Sequence, residues 1–195
     1  MSTLIVIPTV PGNENVLVAC LECLVRNTPE EYCLYISKNN FDGFAVAVNR
    51  GLQAYKQEHI DSVVILNDDA HVKYGWLSKL KAKANESPLT GLVGDKHTIR
   101  DCHIAFWIVY IKKEVLESIG LLDERFICGD WEDVDFCIRA LDVGWGLTFV
   151  PEVLADHVSS HTWRSYPDKM KVEEKKKNKK RFKDKWKGTK WENKW

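Results

Sequence analysis

Apolar residues follow two patterns along this chain. Short unbroken runs, at Leu4–Ile7, Tyr32–Ile36 and Ser62–Leu66, predict strands. Between them, apolar residues recur every three or four positions, as on one face of a helix. Val16, Leu17, Cys20, Leu21, Leu24 and Val25 form such a face. That helix is expected to start near Asn13 or Asn15, whose side chains suit an N-cap, and to stop at Asn27-Thr28-Pro29. A second helix is expected from Phe44 to about Gln57, weakened by Gly51. In the second half, helices are predicted over Trp76–Ala84, over Lys112–Ile119 closed by Gly120, and from Asp130 to about Val143. Strands are predicted over Phe106–Ile111 and Leu147–Val150. Alternating strands and helices predict an α/β fold, with a mostly parallel central sheet flanked by helices. The expected organisation is one domain over residues 1–168 and a basic, Trp-containing segment over 169–195.

The stretch Val63-Val64-Ile65-Leu66-Asn67-Asp68-Asp69 concentrates the chemistry. Its apolar half reads as a strand buried on both faces. In open α/β sheets, ligands bind beyond the carboxyl ends of the strands, where Asn67, Asp68 and Asp69 would lie. Two adjacent carboxylates repel, and a divalent cation with oxygen ligands relieves the conflict. The competing reading is a polar turn that caps the helix at Trp76. A second acidic cluster, Asp130-Trp131-Glu132-Asp133-Val134-Asp135, opens a predicted helix. Asp130 as N-cap, Asp133 in a capping-box-like pair and Asp135 bonded to Arg139 would account for three of its acids. Alternatively, crowding raises the basicity of one of them, as a general base requires.

Charge changes the picture of the C-terminal part. Residues 169–195 hold 13 Lys+Arg and 4 Asp+Glu, a net of +9. The whole chain has 28 of each, so the other 168 residues carry 15 basic and 24 acidic groups, a net of −9. In the basic part, Phe182/Trp186 and Trp191/Trp195 are i,i+4 pairs separated by Gly188. Such a segment fits an anionic membrane surface, a site on the acidic globule, or a solvated and partly disordered tail. Cys20 and Cys23 form a C-x-x-C inside an apolar helical run, and read as buried, reduced thiols. No apolar run reaches membrane-span length, and no basic region precedes the first apolar stretch. A cytoplasmic protein is expected, with peripheral membrane contact through the basic segment. Neither G-x-G-x-x-G nor G-x-x-x-x-G-K-[ST] occurs. No specific nucleic-acid binding is expected.

Four motifs together resemble the family 2 glycosyltransferases of the GT-A fold. They are Ile7-Pro8-Thr9 at the end of the first strand, Gly43-Phe44-Ala45-Val46-Ala47-Val48-Asn49-Arg50-Gly51, Leu66-Asn67-Asp68-Asp69 with Gly75-Trp76-Leu77, and Gly120–Phe126 followed by Glu132-Asp133-Val134-Asp135 and Arg139. The resemblance implies an inverting transfer of a sugar from a nucleotide-diphosphate sugar to a hydroxyl of a glycan, lipid-linked or other acceptor. It implies that Asp69 binds Mn2+ or Mg2+, and that His157, with His161 in reserve, makes a further metal or diphosphate contact. Pro8, Thr9, Val10, Asn49, Asn67 and Asp68 would line the nucleotide sugar. Asp133 would be the general base, with Glu132 as the alternative. Val10 replaces the family's Tyr. The family's base-reading Asp after the second strand is missing from Ser37-Lys38-Asn39-Asn40-Phe41-Asp42, where Asn39 and Asp42 are the nearest candidates. A sugar nucleotidyltransferase would need a Gly-rich, Arg-bearing loop after the first strand, which Pro8–Asn13 does not supply. A catalytically silent nucleotide-sugar-binding protein on the same fold is the other alternative.

Overall fold

The structure, a computed structural model, describes residues 2–98, 103–157 and 168–194. In chain order the elements are β1 (Ser2–Thr9), α1 (Glu14–Asn27), β2 (Tyr32–Lys38), α2 (Phe44–Leu52), β3 (Ile60–Leu66), β4 (Ala70–Val72), α3 (Trp76–Asn85) and β5 (Thr90–Asp95). There follow β6 (Ile108–Lys112), α4 (Lys113–Ile119), α5 (Glu132–Asp142), β7 (Gly146–Val150), β8 (Ala155–His157) and α6 (Asp168–Trp186). Six strands form one sheet in the order β2-β1-β3-β6-β5-β7, and β4 and β8 form a separate two-stranded ribbon. β1 is parallel to β2 and β3, and β5 to β7, whereas β6 is antiparallel to both neighbours. The sheet is therefore mostly parallel, as expected.

Alternation within the central strands assigns the two helical layers. Leu4, Val6, Val63 and Ile65 meet residues of α2, α4 and α5 on one face. Ile5, Ile7, Val64 and Leu66 meet α1 and α3 on the other. β3 is thus buried on both faces, which is why its apolar run shows no polar alternation. Gly51 belongs to close packing: a Cβ there would lie 2.5 Å from Cγ1 of Val6. The helix that Gly51 was expected to weaken ends at Leu52 and continues as a 3-10 turn over Gln53–Lys56.

Three expectations need correction. β4 and β5 were not foreseen, since β4 has three residues and β5 carries two glycines among six. Asp130 does not cap α5; Trp131 precedes the first helical residue, with a left-handed φ of 84°. Of the readings open for the basic segment, the solvated tail gives way to a site on the acidic globule. On α6, Glu174, Asn178, Phe182 and Trp186 recur every four residues and are buried. Phe182, Trp186 and Trp191 pack with Phe126, Val134 and Ile138 of the acidic globule. One continuous helix would put Trp191 on the opposite face, but α6 stops at Trp186 and Gly188 turns the chain at φ 76°. Trp195 lies outside the described residues.

Polar bonds complete this docking. Trp186 Nε1 donates to Asp135 Oδ1 at 3.1 Å, and Trp191 Nε1 to Asp142 Oδ1 at 2.8 Å. Lys185 Nζ lies 2.8 Å from Asp123 Oδ2 and 2.7 Å from Asp135 Oδ1. No helix among the described residues is long and apolar enough to cross a membrane.

Truncating Trp186 should therefore destabilise the whole domain. Trp186→Ala is expected to cost about 3–5 kcal/mol in urea unfolding, the usual loss for a buried Trp. Val172→Ala, at an exposed position of the same helix, should change little. Parental stability for Trp186→Ala would show that α6 does not belong to the cooperative unit.

Candidate active site

The carboxyl end of β3 delivers Asn67, Asp68 and Asp69, and β4 begins immediately afterwards. Because β4 pairs antiparallel with β8, Ala70 stands opposite His157. This register brings His157 Nε2 to 3.0 Å from Asp69 Oδ1. Trp107 stacks on the imidazole, with ring centroids 4.8 Å apart and planes 10° from parallel. Its carbonyl also accepts the Asn67 N–H at 2.9 Å, so one residue fixes both the strand end and the histidine ring. Asp68 is fully buried, and its Oδ2 accepts a hydrogen bond from Asn13 Nδ2 at 3.1 Å. The acidic pair does not cap α3, whose N-cap is Gly75 without a side-chain cap.

Asn13 holds the position expected of the α1 N-cap, but its amide serves Asp68 instead of the helix. Cys20 Sγ donates to the Asn67 carbonyl at 3.6 Å. Burial, reinforced by Asp68, pushes its thiol up to about 12. Cys20 is therefore neutral at ordinary pH, and it packs in the core between α1 and the sheet.

The donor set fits a divalent cation. Asp69 is 1% exposed, while the His157 side chain is 27% exposed and open to a ligand. Their 3.0 Å separation is that of a direct hydrogen-bonded pair, which leaves one oxygen and one nitrogen donor together at the strand exit. Among the described residues no group of three or more His, Cys, Asp or Glu side chains could hold a metal. Asp69 and His157 would thus supply two positions and leave the others to substrate oxygens. His161 lies outside the described residues.

Beyond β1 and β2, a cleft of about 470 Å³ is lined by Thr9, Val10, Pro11, Glu14, Leu17, Ile36, Lys38 and Asn40. Asn13, whose N–H donates to the Val10 carbonyl at 3.2 Å, links this lining to Asp68. Pro8 is buried in β1 just behind it. Asn39, expected to read the base, is fully buried; its N–H donates to the Thr9 carbonyl and its Oδ1 accepts from Gly43 N–H. Lys38 and Asn40 face the cleft in its place, by the alternation of side chains along an extended chain. Asp42 is outside the cleft lining and pairs with Arg50, which also donates to the Lys38 carbonyl. Asn49 is likewise committed elsewhere: Nδ2 donates to Leu122 O and Glu124 Oε1, both at 2.9 Å, and Oδ1 accepts from Leu122 N–H at 3.0 Å. Its part is to hold the loop after α4.

The second acidic cluster follows a loop in which Cys128, Gly129 and Trp131 all have left-handed φ. That loop packs on the start of α2: a Cβ on Gly43 would lie 3.8 Å from both Ile127 Cα and Phe126 O. The cleft wall at Thr9 therefore connects through Asn39 and Gly43 to the acidic loop. Asp135 makes the expected pair with Arg139 at 3.0 Å, and Arg139 also donates to the carbonyls of Ile119 and Leu121. Asp133 is half-buried, and its Oδ1 accepts the Val134 N–H at 2.7 Å. Glu132 is buried, which raises its carboxyl well above the usual range, and the Asp133 and Asp130 charges add to this. Glu132 Oε2 and Asp130 Oδ2 are buried with no hydrogen-bond partner among the described protein groups. An unpartnered buried oxygen is costly, and protonation of Glu132 lowers that cost.

Sequence reasoning singled out Asn13 only as a helix cap, and Lys38 and Trp107 not at all. Lys38 carries a weak signal, as the basic residue in a turn-rich loop at a strand's exit. Asn13 and Trp107 act through contacts across the fold that no local pattern announces.

No family model and no curated protein matches this sequence. Solved structures do match in fold. The catalytic domain of Drosophila beta1,4-galactosyltransferase 7, in complex with xylobiose, superposes with a TM-score of 0.68 at 16% identity. That match covers 92% of this chain and 80% of the other. The fold is GT-A. A mannosyltransferase from Pyrobaculum calidifontis, in complex with GDP-mannose and Mn2+, gives 0.66 at 14% identity over 84% of this chain and 59% of its own. GalNAc-T7, with UDP, GalNAc and Mn2+, gives 0.67 at 14% identity over 85% of this chain and 45% of its own. This chain thus spans about half the length of the latter two.

Burial of Glu132 has a consequence for stability. The folded chain holds the Glu132 proton to higher pH than the unfolded chain does, so stability is lost as rising pH ionises the group. Glu132→Gln should leave Tm unchanged near about pH 4, where both states are protonated, and raise it at about pH 8. A Tm difference that does not vary with pH would contradict the buried, protonated carboxyl.

Proposed function

We propose that this protein is a metal-dependent glycosyltransferase that moves a sugar from a nucleotide-diphosphate sugar to an acceptor hydroxyl with inversion. The observation that carries the reading is the Asp69–His157 pair, held at 3.0 Å at the exit of β3, with the adjacent Asp68 tied through Asn13 to the loop that lines the cleft. In this reading Asp69 and His157 hold Mn2+ or Mg2+; their mixed oxygen and nitrogen set favours Mn2+. A bound ion neutralises charge developing on the leaving diphosphate. Asp68, fully buried and fixed by Asn13, would support this site from behind, with the half-buried Asn67 beside it. Thr9, Val10 and Lys38 line the nucleoside.

On the acceptor side, Asp133 takes the proton of the acceptor hydroxyl. The freed oxygen attacks the anomeric carbon as the bond to the diphosphate breaks on the opposite face, giving an inverted glycoside and a nucleoside diphosphate. Glu132 is less suited to accept that proton, because burial keeps its own proton on it. It can donate a hydrogen bond to the incoming sugar instead.

Incubation with a panel of nucleotide sugars, Mn2+ and hydroxyl acceptors should release nucleoside diphosphate. Asp69→Ala should remove the Mn2+ dependence of nucleoside diphosphate binding. Asp133→Asn should lower turnover by roughly 10²–10⁴-fold, the usual contribution of a general base. Loss confined to Glu132→Gln would exchange the two roles. Pyrophosphate formed from a sugar phosphate and a nucleoside triphosphate would indicate a nucleotidyltransferase, and binding without turnover a silent module.

The reading extends to where the acceptor is met. Lys169, Lys176, Lys180 and Lys183 are exposed and share the outer side of α6, spanning roughly 20 Å at 1.5 Å per residue. The aromatic residues of this segment point inward, so contact with an anionic membrane would be electrostatic, without insertion. Such contact would place lipid-linked acceptors within reach. Binding to phosphatidylserine vesicles is expected at low salt and should vanish at about 0.5 M salt, and in the Lys176→Glu, Lys180→Glu, Lys183→Glu triple variant. Vesicle binding that persists in either condition would rule out this mode.

A further inference from the structure

We propose that Asn178, set within the lysine-rich helix α6, is a positioning residue for the acceptor side of the site: it holds the loop that presents Glu132 and Asp133. The activity arm of this proposal rests on the glycosyltransferase reading; its structural arm does not.

Asn178 stands in the run Lys175-Lys176-Lys177-Asn178-Lys179-Lys180-Arg181, where composition alone points to a solvated face. Yet it is fully buried. Its amide meets the loop backbone as a neighbouring strand would. Nδ2 donates to Ile127 O at 2.6 Å, and Oδ1 accepts from Ile127 N–H at 3.3 Å. Nδ2 also donates to Asp130 O at 3.1 Å, two residues before Glu132. Arg181 orients the amide: its Nη1 donates to Asn178 Oδ1 at 2.7 Å and to Glu174 Oε2 at 3.0 Å. A lysine at this position could make none of the acceptor bonds, and an alanine none at all.

The loop needs such an outside hold. Cys128 (φ 63°) and Trp131 (φ 84°) occupy left-handed backbone that side-chain-bearing residues keep only when their surroundings impose it. Trp131 packs against Phe182 of the same helix, one turn beyond Asn178, with ring centroids 4.7 Å apart and planes tilted by 38°. From the other side, Asn49 of α2 forms the same paired amide contact with Leu122. The loop is thus clamped between two buried asparagines from two helices.

A plainer role is that Asn178 merely anchors α6. That anchoring already rests on Phe182, Trp186, Trp191 and Lys185, none of which bonds the backbone between Ile127 and Asp130. The two roles predict different variants, made in the full-length chain.

Hydrogen exchange over residues 123–131 should quicken by at least about tenfold in Asn178→Ala, as for a loop that opens locally. It should quicken less in Asn178→Asp, which keeps the bonds from Ile127 N–H and Arg181 and loses the two donated ones. With a donor and acceptor found as above, kcat should fall roughly 10–100-fold in Asn178→Ala, the cost of a misplaced catalytic group. The affinity for nucleoside diphosphate and Mn2+ should stay at the parental value. Lys179→Ala, exposed on the same helix, should match the parent throughout. A lower Tm with parental loop exchange and parental kcat would overturn the proposal and leave Asn178 as an anchor. Parental kcat with a loosened loop would overturn the positioning of the acidic pair. If the parent transfers no sugar, the functional reading fails, and loop exchange alone decides whether Asn178 holds the loop.

Discussion

Asp68 and Asp69 stand side by side, almost fully buried, at the mouth of a strand buried on both faces. Burying a carboxylate without compensation costs several kcal/mol, so the surrounding structure must answer both charges. The answer comes from three separate pieces of chain. Asn13 donates to Asp68, and the Asn67 backbone is tied to Trp107 and Cys20. His157 is carried to Asp69 by the β4–β8 ribbon and held flat by Trp107. A three-residue strand such as β4 is weak alone; here its register is what puts an imidazole against a carboxylate. The parts of the fold that look incidental in length are those that complete the site.

The acidic loop after α4 is governed by a different balance. Its backbone takes left-handed settings at Cys128 and Trp131, and its carboxyls are crowded. Neither favours a stable loop. What offsets them is packing from both sides: α2 through Asn49, and α6 through Asn178, Phe182 and Trp186. The charge asymmetry of the chain is resolved in the same place. Lys185 sits between Asp123 and Asp135, and Arg125 with Lys185 holds the Asp123 carboxyl well below the ordinary carboxylate range. The basic helix and the acidic globule are two halves of one electrostatic interface, with the surplus lysines facing outward.

Much of this was legible in the residues themselves. The unbroken run Val63–Leu66 identified the central strand, since only burial on both faces tolerates such a run. The apolar face of α1 followed from spacing, except for Val25, which is exposed, and the position of Asp69 at a strand exit followed from adjacency. The capping role drawn for Asp130 failed because Trp131 adopts a left-handed setting under Phe182, a contact 51 residues away in sequence. Asn39 and Asp42 were placed in the donor site by their neighbourhood in sequence. The turn sends Asn39 inward to Gly43 and Asp42 sideways to Arg50.

What the sequence determined by itself was the order of the longer strands and helices of the globule and the location of two acidic clusters, because periodicity and adjacency are local properties of the chain. Tertiary structure decided what those clusters meet. The pairing of Asp69 with His157, of Asp68 with Asn13, and of the acidic loop with Asn178 each joins segments about 50 residues apart or more. Such contacts depend on sheet order and helix docking. Those in turn depend on burying β3 and the Phe182–Trp186–Trp191 cluster together with everything packed around them.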